Sequence, residues 1–566
     1  MTEPAPTAHE FFDKHRALLE RAAAAVLERD YWTPFPEAPK DPSYGTQAAD
    51  GENAFKALLN NDFLLPGHPG RGTVFSGEVS PYGFPLGLRY PHVSPEEAIE
   101  AAKTAGTAWR EASPDTRAGV AAEILVRLNA ASFEIAHAVQ HTTGQPFLMA
   151  FQAGGPHAQD RALEAVAYAW AEQRRHPTTA VWTKPQRKGD PITMEKTFTP
   201  VGRGVGVLIG CNTFPTWNGY PGLFASLATG NPVVIKPHRR AVLPLAITVR
   251  IAREVLNEAG FDPDVVILAA SSATERTAPA LATHPDVRLV DFTGSTEFGT
   301  WLEDNARQAH VYTEKAGINS VVLDSTDDYK GLLRNLSVSL SLYSGQMCTT
   351  PQNLLVPASG ITTDQGTKTP AEFAADLAAA VDGLLSDVQR ACGTLGGIVS
   401  DGILKRLEEA ATVGQVILSS RAVTHPDYEH AVVRTPLISL LDAHTDRVAY
   451  SQEWFGPVTF VISTDSTEHS LEVLGSTVRE HGALTATVHA TSEDVLNAAR
   501  RTALDAGVHL SENLTGPVFV NQSAAFSDFH GTAANPAATA ALTDPAFVTG
   551  RFSILQSRRH VQAEHE

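Results

Sequence analysis

From Gly202 onward the chain alternates short apolar runs with stretches of helical spacing: Val205 to Ile209, Thr216 to Thr229, Val233 to Lys236, Val242 to Glu258, Val265 to Leu268 and Val287 to Phe292. Parallel strands need a long return, and both faces of their sheet must be covered, so such alternation predicts strands joined by crossover helices. The product is a doubly wound α/β sheet, which binds nucleotides at the carboxyl ends of its strands. A second block of the same texture runs from residue 314 to about 500, with Val321 to Leu323, Thr459 to Ile462 and Leu484 to Val488 as its strands. The expected fold class is therefore α/β with two doubly wound domains.

The remainder is read around these two blocks. Residues 1–60 form an N-terminal extension, in which Phe11, Leu18, Leu19, Ala22, Ala25 and Val26 mark an amphipathic helix over Ala8 to Arg29. Ser94-Pro95-Glu96-Glu97 is a helix start in which serine caps, proline takes the first helical position and Glu97 reaches back to the cap. That helix runs through Trp109, a second covers Asp115 to Gln140 and a third Ala158 to Gln173. Residues 61–175 and 200–313 make up the dinucleotide-binding domain, and 314–515 the catalytic one. Thr178 to Phe198 reads as an extended hairpin projecting from the body, with Val518 to Asn521 returning to it as a strand. Segments 176–199 and 516–535 are thus assigned to subunit pairing, and 536–566 to a C-terminal tail.

Composition narrows the partners. A formal charge of -19 repels nucleic acid and anionic membranes and leaves a small metabolite as the expected ligand. Three cysteines, Cys211, Cys348 and Cys392, are too few and scattered for a disulfide framework. The start of the chain lacks a signal-peptide pattern and no apolar run approaches a membrane span, so a cytoplasmic protein is expected. The 21 histidines follow no ligand pattern, and no metal is expected.

Chemistry concentrates in Ser344-Gly345-Gln346-Met347-Cys348-Thr349-Thr350-Pro351-Gln352-Asn353. A lone cysteine is more often a small buried apolar side chain than a nucleophile. Here it follows a glycine, which lets backbone pass close to a ligand, and its polar neighbours make a poor core. Glu314, in Thr313-Glu314-Lys315-Ala316-Gly317, lies 34 residues earlier. Val233-Val234-Ile235-Lys236-Pro237 is an apolar strand ending in a cation, and Phe292-Thr293-Gly294-Ser295-Thr296 closes the apolar run from Val287.

Taken together these segments resemble the aldehyde dehydrogenase superfamily over roughly residues 80–530. The resemblance implies that Cys348 attacks an aldehyde carbon to form a thiohemiacetal and then a thioester, and that Glu314 activates the water that releases the acid. For the oxyanion the family uses an asparagine in Asn-Phe-Pro. This chain reads Cys211-Asn212-Thr213-Phe214-Pro215, which leaves Asn212 as the donor after a local rearrangement and Thr213 as a cofactor contact, or the two exchanged. The same resemblance assigns Ile209, Lys236, His238, Gly294, Ser295 and Phe298 to dinucleotide binding. Glu453 and Phe455, in Glu453-Trp454-Phe455-Gly456-Pro457, go to the nicotinamide ribose and its surroundings.

Many NAD-specific members carry a glutamate three residues after the strand-end lysine, where this chain has Arg239. A guanidinium binds a 2′-phosphate that a carboxylate would repel, so NADP is the preferred cofactor, with NAD as the alternative. The run around Cys348 and Cys-Asn-Thr-Phe-Pro-Thr-Trp-Asn resemble the phenylacetic acid degradation (PaaN) subgroup. That likeness implies an aldehyde from aromatic catabolism or a semialdehyde carried on coenzyme A. The hydrophobic residues near the nucleophile, Leu342, Tyr343 and Trp454, would suit an apolar substrate. The alternatives are a dehydrogenase that passes its acyl group to coenzyme A and a non-catalytic dinucleotide-binding protein of the same fold. A homodimer or dimer of dimers is expected.

Overall fold

The computed structural model describes residues 8–315 and 317–561. The ends of the extension and of the tail, and Ala316 in the Glu314 segment, lie outside them. Its centre is a five-stranded parallel sheet ordered Val266–Leu268, Val233–Lys236, Val205–Ile209, Val287–Gly294, His310–Lys315. Beside it stands a seven-stranded sheet, parallel except for the edge strand Gln415–Leu418, in which Asn319–Leu323 lies between Pro351–Pro357 and Thr485–His489. The strands of both sheets are buried along nearly their whole length at the centre, as sheets covered by helices on both faces must be. Two doubly wound α/β units are therefore present.

The helix starts follow their capping chemistry. Ser94 accepts from the Glu97 amide and Glu97 returns a bond to the Ser94 backbone, opening the helix Pro95–Glu111. The expected single helix over Asp115 to Gln140 is two, Pro114–Ala130 and Ser132–Thr143, broken at Ala131. No glycine or proline marks the break. Tertiary bonds hold it instead: Asn129 Nδ2 donates to Gln159 Oε1 at 2.9 Å and Gln159 Nε2 to Ser132 Oγ at 3.1 Å. In the extension, Ala8–Glu28 packs its Phe11, Leu19, Ala22 and Val26 face into the main core.

The third sheet corrects one expectation. Thr179–Lys184 and Ile192–Gly202 do form a hairpin, but its third strand is Phe552–Val561, antiparallel from Phe552 opposite Gly202 to Val561 opposite Thr193. Val518 to Asn521 is not a strand. Its carbonyls are taken by a side chain, since Asn335 Nδ2 donates to Gly516 O at 3.2 Å and to Val518 O at 2.7 Å. Asn521 Nδ2 in turn donates to Ser339 O at 2.9 Å, so the segment is pinned to the helix Tyr329–Ser341. Among the described residues no helix is long and apolar enough to cross a membrane.

Arg551, just before the returning strand, is 0% exposed. Its guanidinium donates to both Asp291 oxygens at 2.8 and 2.5 Å and to Ser226 Oγ at 2.8 Å, between the rings of Tyr312 and Phe547, each 4.2 Å away. The tail is thereby tied to the five-stranded sheet and to the helix Pro215–Ala228. Arg551→Ala strands the Asp291 carboxylate, and removal of one partner from a buried pair costs about 3–5 kcal/mol. Urea unfolding is expected to show a loss of that order, and an unchanged midpoint would contradict the clamp.

Candidate active site

The helix Tyr329–Ser341 ends in a turn in which Tyr343, Ser344 and Gly345 all have positive φ, at 54°, 52° and 65°. Two non-glycine residues there cost backbone energy that the surroundings must supply. The Tyr343 hydroxyl donates to Thr143 O, and Ser344 Oγ donates to Arg434 O at 3.0 Å. Gln346 Nε2 donates to Gly397 O at 3.0 Å while its Oε1 accepts from Val399 N at 3.0 Å. A Cβ on Gly345 would stand 2.4 Å from Gly456 O, so glycine is required for close approach as well as for φ. Asn319 Nδ2 then donates to Cys348 O at 2.8 Å. The cysteine therefore sits on backbone anchored on several sides.

Glu314 ends its strand on the neighbouring sheet, 4% exposed. Asn218 Nδ2 donates to both of its oxygens at 3.2 Å, and the amide is held in that orientation because Cys211 Sγ donates to Asn218 Oδ1 at 3.7 Å. Burial pushes the Cys211 thiol up to about 11, which keeps it protonated as that donor. His530 Nε2 lies 3.2 Å from Glu314 Oε1 and 4.0 Å from Cys348 Sγ. Burial alone would raise the Glu314 carboxyl. The charge and hydrogen bond of His530, with bonds from Cys348 and Asn218, outweigh it and hold the group below its ordinary value. Burial and the adjacent Glu314 carboxylate push the Cys348 thiol well above its ordinary value.

Every site residue expected from the sequence lines one cavity of about 770 Å³ that ends at Cys348 and Glu314. At its far end are Lys236, His238 and Arg239, beside the strand end Ile209; Gly294, Ser295 and Phe298 form one wall, Glu453 and Phe455 another. Ser295 Oγ caps the helix Thr296–Asn305 by accepting from Phe298 N, which sets that helix start at the cavity wall. Burial and then Arg239 bring Lys236 down to about 8, and burial first brings His238 down to about 3, leaving that imidazole neutral. Burial raises the Glu453 carboxyl to about 7 against the pull of Arg406, which also holds Phe455 O at 3.1 Å. Asn212 Nδ2 is buried without a hydrogen-bond acceptor. Thr213 turns its carbonyl away, to Gln145 Nε2 at 2.8 Å. Lys236, Arg239, the helix start and the unpartnered amide suit a dinucleotide: cations and amides for its phosphates, acceptors for its riboses, a donor beside the reacting carbonyl.

A second cavity of about 390 Å³ reaches Cys348 from the other side. It is lined by Phe214, Trp217, Leu342, Met149 and Met347, and by Tyr31, Trp32, Thr33 and Glu37 of the N-terminal extension. Tyr343 and Trp454 do not line it. Both are buried in the core, Tyr343 by its bond to Thr143 and Trp454 through Nε1 to Ala449 O at 2.7 Å. Trp32 packs edge-on against Phe526 at 4.8 Å, and Glu37 pairs with His157 at 2.8 Å. Sequence reasoning missed Asn218, although it closes the Cys-Asn-Thr-Phe-Pro-Thr-Trp-Asn run, and His530, which no local pattern marks.

A cysteine and a buried carboxylate meeting between a large cavity that Lys236 and Arg239 line and an apolar one, on two doubly wound sheets, fit an aldehyde dehydrogenase. The model of the aldehyde dehydrogenase family matches residues 92–521, and the chain belongs to that family. The crystal structure of an NAD-dependent aldehyde dehydrogenase from Burkholderia multivorans is 56% identical, superimposes with a TM-score of 0.96 and covers 98% of this chain and 99% of its own. A 1-pyrroline-5-carboxylate dehydrogenase from Thermus with bound NAD shares the fold at 20% identity, with a TM-score of 0.72 over 94% of this chain and 99% of its own. The 1-pyrroline-5-carboxylate dehydrogenase 1 of Halalkalibacterium halodurans is 24% identical over 438 residues, 75% of this chain and 78% of that one.

Asn218→Ala removes both amide bonds to Glu314. Hydrogen bonds to a charged group are worth about 1.5–3 kcal/mol, or about one to two pH units. The carboxyl then titrates higher, so the acid limb of the pH profile for acid release is expected to move up by at least about one unit. An unmoved limb would show that Asn218 does not govern Glu314.

Proposed function

We propose that this enzyme oxidises an apolar, aromatic-sized aldehyde to the free acid, with Cys348 as nucleophile, Asn212 and the Cys348 amide as oxyanion donors, and Glu314 as the base for water. The observation that carries the reading is the position of Cys348 Sγ at the meeting of the two cavities, with the Glu314 carboxylate within 4.8 Å. The thiolate adds to the aldehyde carbon, and the carbonyl pair moves to oxygen. Asn212 Nδ2, which has no acceptor of its own, stabilises that charge. A dinucleotide held by Lys236, Arg239, Ser295 and Glu453 would supply the acceptor for the hydride that leaves the thiohemiacetal carbon, which leaves a thioester on Cys348. Glu314 then takes a proton from water as the new C–O bond forms, and the C–S pair returns to sulfur.

The second cavity supports the substrate class. No lysine or arginine stands among its lining residues, whereas Glu37 and Asp160 do. A substrate carrying a carboxylate, such as the one named for the 1-pyrroline-5-carboxylate relatives, would meet Glu37 there and no lysine or arginine to pair with. Aromatic and thioether side chains instead favour a neutral apolar aldehyde. The likeness to the phenylacetic acid degradation subgroup directs the search to aromatic catabolism, in a reducing cytoplasm that keeps three cysteines free. The exposed apolar residues of the antiparallel sheet, Val181 and Leu555, support pairing of subunits through it.

For the cofactor, Arg240 is committed to Val399 O at 2.8 Å, while Arg239 faces the cavity beside Lys236. The Burkholderia relative is described as NAD-dependent, so preference for NADP rests on Arg239 alone. Arg239→Glu is expected to weaken NADP by about 10-fold or more, the worth of a charge-assisted phosphate contact. NAD should stay within about 2-fold of wild type by fluorescence titration. An unchanged ratio removes the preference.

Screening apolar and aromatic aldehydes with both dinucleotides, by absorbance of the reduced cofactor and by assay of free acid against acyl-coenzyme A, tests the activity directly. Cys348→Ser should abolish oxidation while dinucleotide affinity stays near normal. Glu314→Gln should give one burst of reduced cofactor and then stall as a thioester visible by mass spectrometry. Steady turnover at the wild-type rate in either variant would refute the assigned role.

A further inference from the structure

His530 has no part in the mechanism so far, yet its ring nitrogen stands 4.0 Å from the reacting sulfur. The loop that carries it is fastened at His530 itself, whose carbonyl accepts from Leu542 N at 2.7 Å. The imidazole is 4% exposed and stands edge-on to Trp217 at 4.7 Å, which fixes the ring plane. Its Nε2 is shared between Glu314 Oε1 at 3.2 Å and Cys348 Sγ at 4.0 Å. Glu314 lines the dinucleotide cavity and His530 the substrate cavity, and the two groups converge on the sulfur, with the three ligand atoms within 4.8 Å of one another.

We propose that His530 is a third catalytic residue: its Nε2 holds the proton given up by the Cys348 thiol, so that the reacting form is a thiolate–imidazolium pair backed by the Glu314 carboxylate. In this step the S–H bond breaks, an N–H bond forms at Nε2, and the electron pair stays on sulfur. Three groups carrying two negative charges and one positive replace an arrangement of a thiol, an imidazole and a carboxylate, with no net change in charge.

The geometry makes this the reasonable home for the proton. A buried thiolate beside a carboxylate is opposed by desolvation and by like charge, and it forms only if a cation is placed between or beside the two. Glu314 itself is a poor acceptor, because it already takes two bonds from Asn218 and is needed ionised for the later water step. Imidazole is the side chain whose ordinary range for taking up a proton lies near neutral pH, and Nε2 stands within reach of the sulfur and the carboxylate alike. The other ionisable groups around the ring are His509 and Asp528 from its own loop region and the flanking strand, Asp160 across the substrate cavity, and Arg161 behind Trp217. Arg161 is turned away from the sulfur, to Glu164, Asp528 O and Ser523.

The proposal rests on Cys348 being the nucleophile, and its test is separable from turnover. In the full-length protein, alkylation of Cys348 by iodoacetamide is followed against pH by peptide mass spectrometry, in the absence of aldehyde. His530→Gln keeps a hydrogen bond to Glu314 but cannot carry a proton, so a purely structural role would survive it. The midpoint of alkylation is expected to rise by at least about one pH unit and the rate at pH 7 to fall about 10-fold or more. In His530→Ala, added imidazole is expected to restore alkylation at pH 7 in a concentration-dependent way. Melting temperature and dinucleotide binding serve as controls for folding, with the Gln variant standing alone if the Ala variant is unstable. Superimposable pH curves for wild type and His530→Gln overturn the proposal even if aldehyde oxidation is intact. Shifted curves without oxidation of any aldehyde support it while refuting the proposed reaction.

Discussion

An ionised carboxylate in a nearly closed pocket is the condition on which the rest of this structure is arranged. Left alone, burial would neutralise Glu314, and a neutral carboxyl could neither activate water nor orient its neighbours. Three separate parts of the chain oppose that: His530 from the C-terminal region, Cys348 from the turn after the helix Tyr329–Ser341, and Asn218 from the helix Pro215–Ala228. The helix is in turn held to the sheet through Asp291 and Arg551, which belongs to the chain's return toward the hairpin. The tail is therefore connected to the chemistry through two buried ion pairs rather than draped over the surface.

The nucleophile reaches the same point from the other sheet. Asn319 begins the strand that follows Glu314, and its amide ties three places together: Nδ2 to the carbonyls of Cys348 and Thr350, Oδ1 to the amides of Leu484 and Thr485. The carboxylate and the sulfur are thus positioned by neighbouring residues of one chain segment, though they stand on different sheets. The strained turn at Tyr343 and Ser344 supplies the remaining constraint, since it turns the chain from the helix Tyr329–Ser341 back into the cavity.

What the sequence made legible follows from how local each signal is. Apolar alternation located the strands of both sheets, and the Ser94 capping box located a helix start, because those depend on residues within one turn or one run. The residues that meet in the larger cavity were legible for the same reason: Lys236, Gly294 and Glu453 stand in short segments whose backbone shape is written in their neighbours. The break at Ala131 was not, because Gln159 and Tyr44 hold it from elsewhere. The strand Phe552–Val561 was passed over because half of it is polar and exposed, as an outer strand can be, while Val518 to Asn521 looked apolar enough to pair. His530 was invisible: a histidine acquires meaning only from the two side chains it meets, which are 216 and 182 residues away in the chain.

The two cavities divide the electrostatics of an acidic protein. A chain of formal charge -19 repels anions at a distance, so the cofactor side carries Lys236, Arg239 and a helix start within contact range, where burial makes each more effective than a surface charge would be. The opposite side has Glu37 and Asp160 and no lysine or arginine among its lining residues, and burial holds the Asp160 carboxyl well above the ordinary carboxylate range. Tyr31, Trp32 and Glu37 come from the N-terminal extension, outside the matched family region, so part of that wall is built by residues outside the two sheets. The shape of this cavity can therefore change with the extension while the surroundings of Cys348 and Glu314, which the two sheets hold, stay as they are.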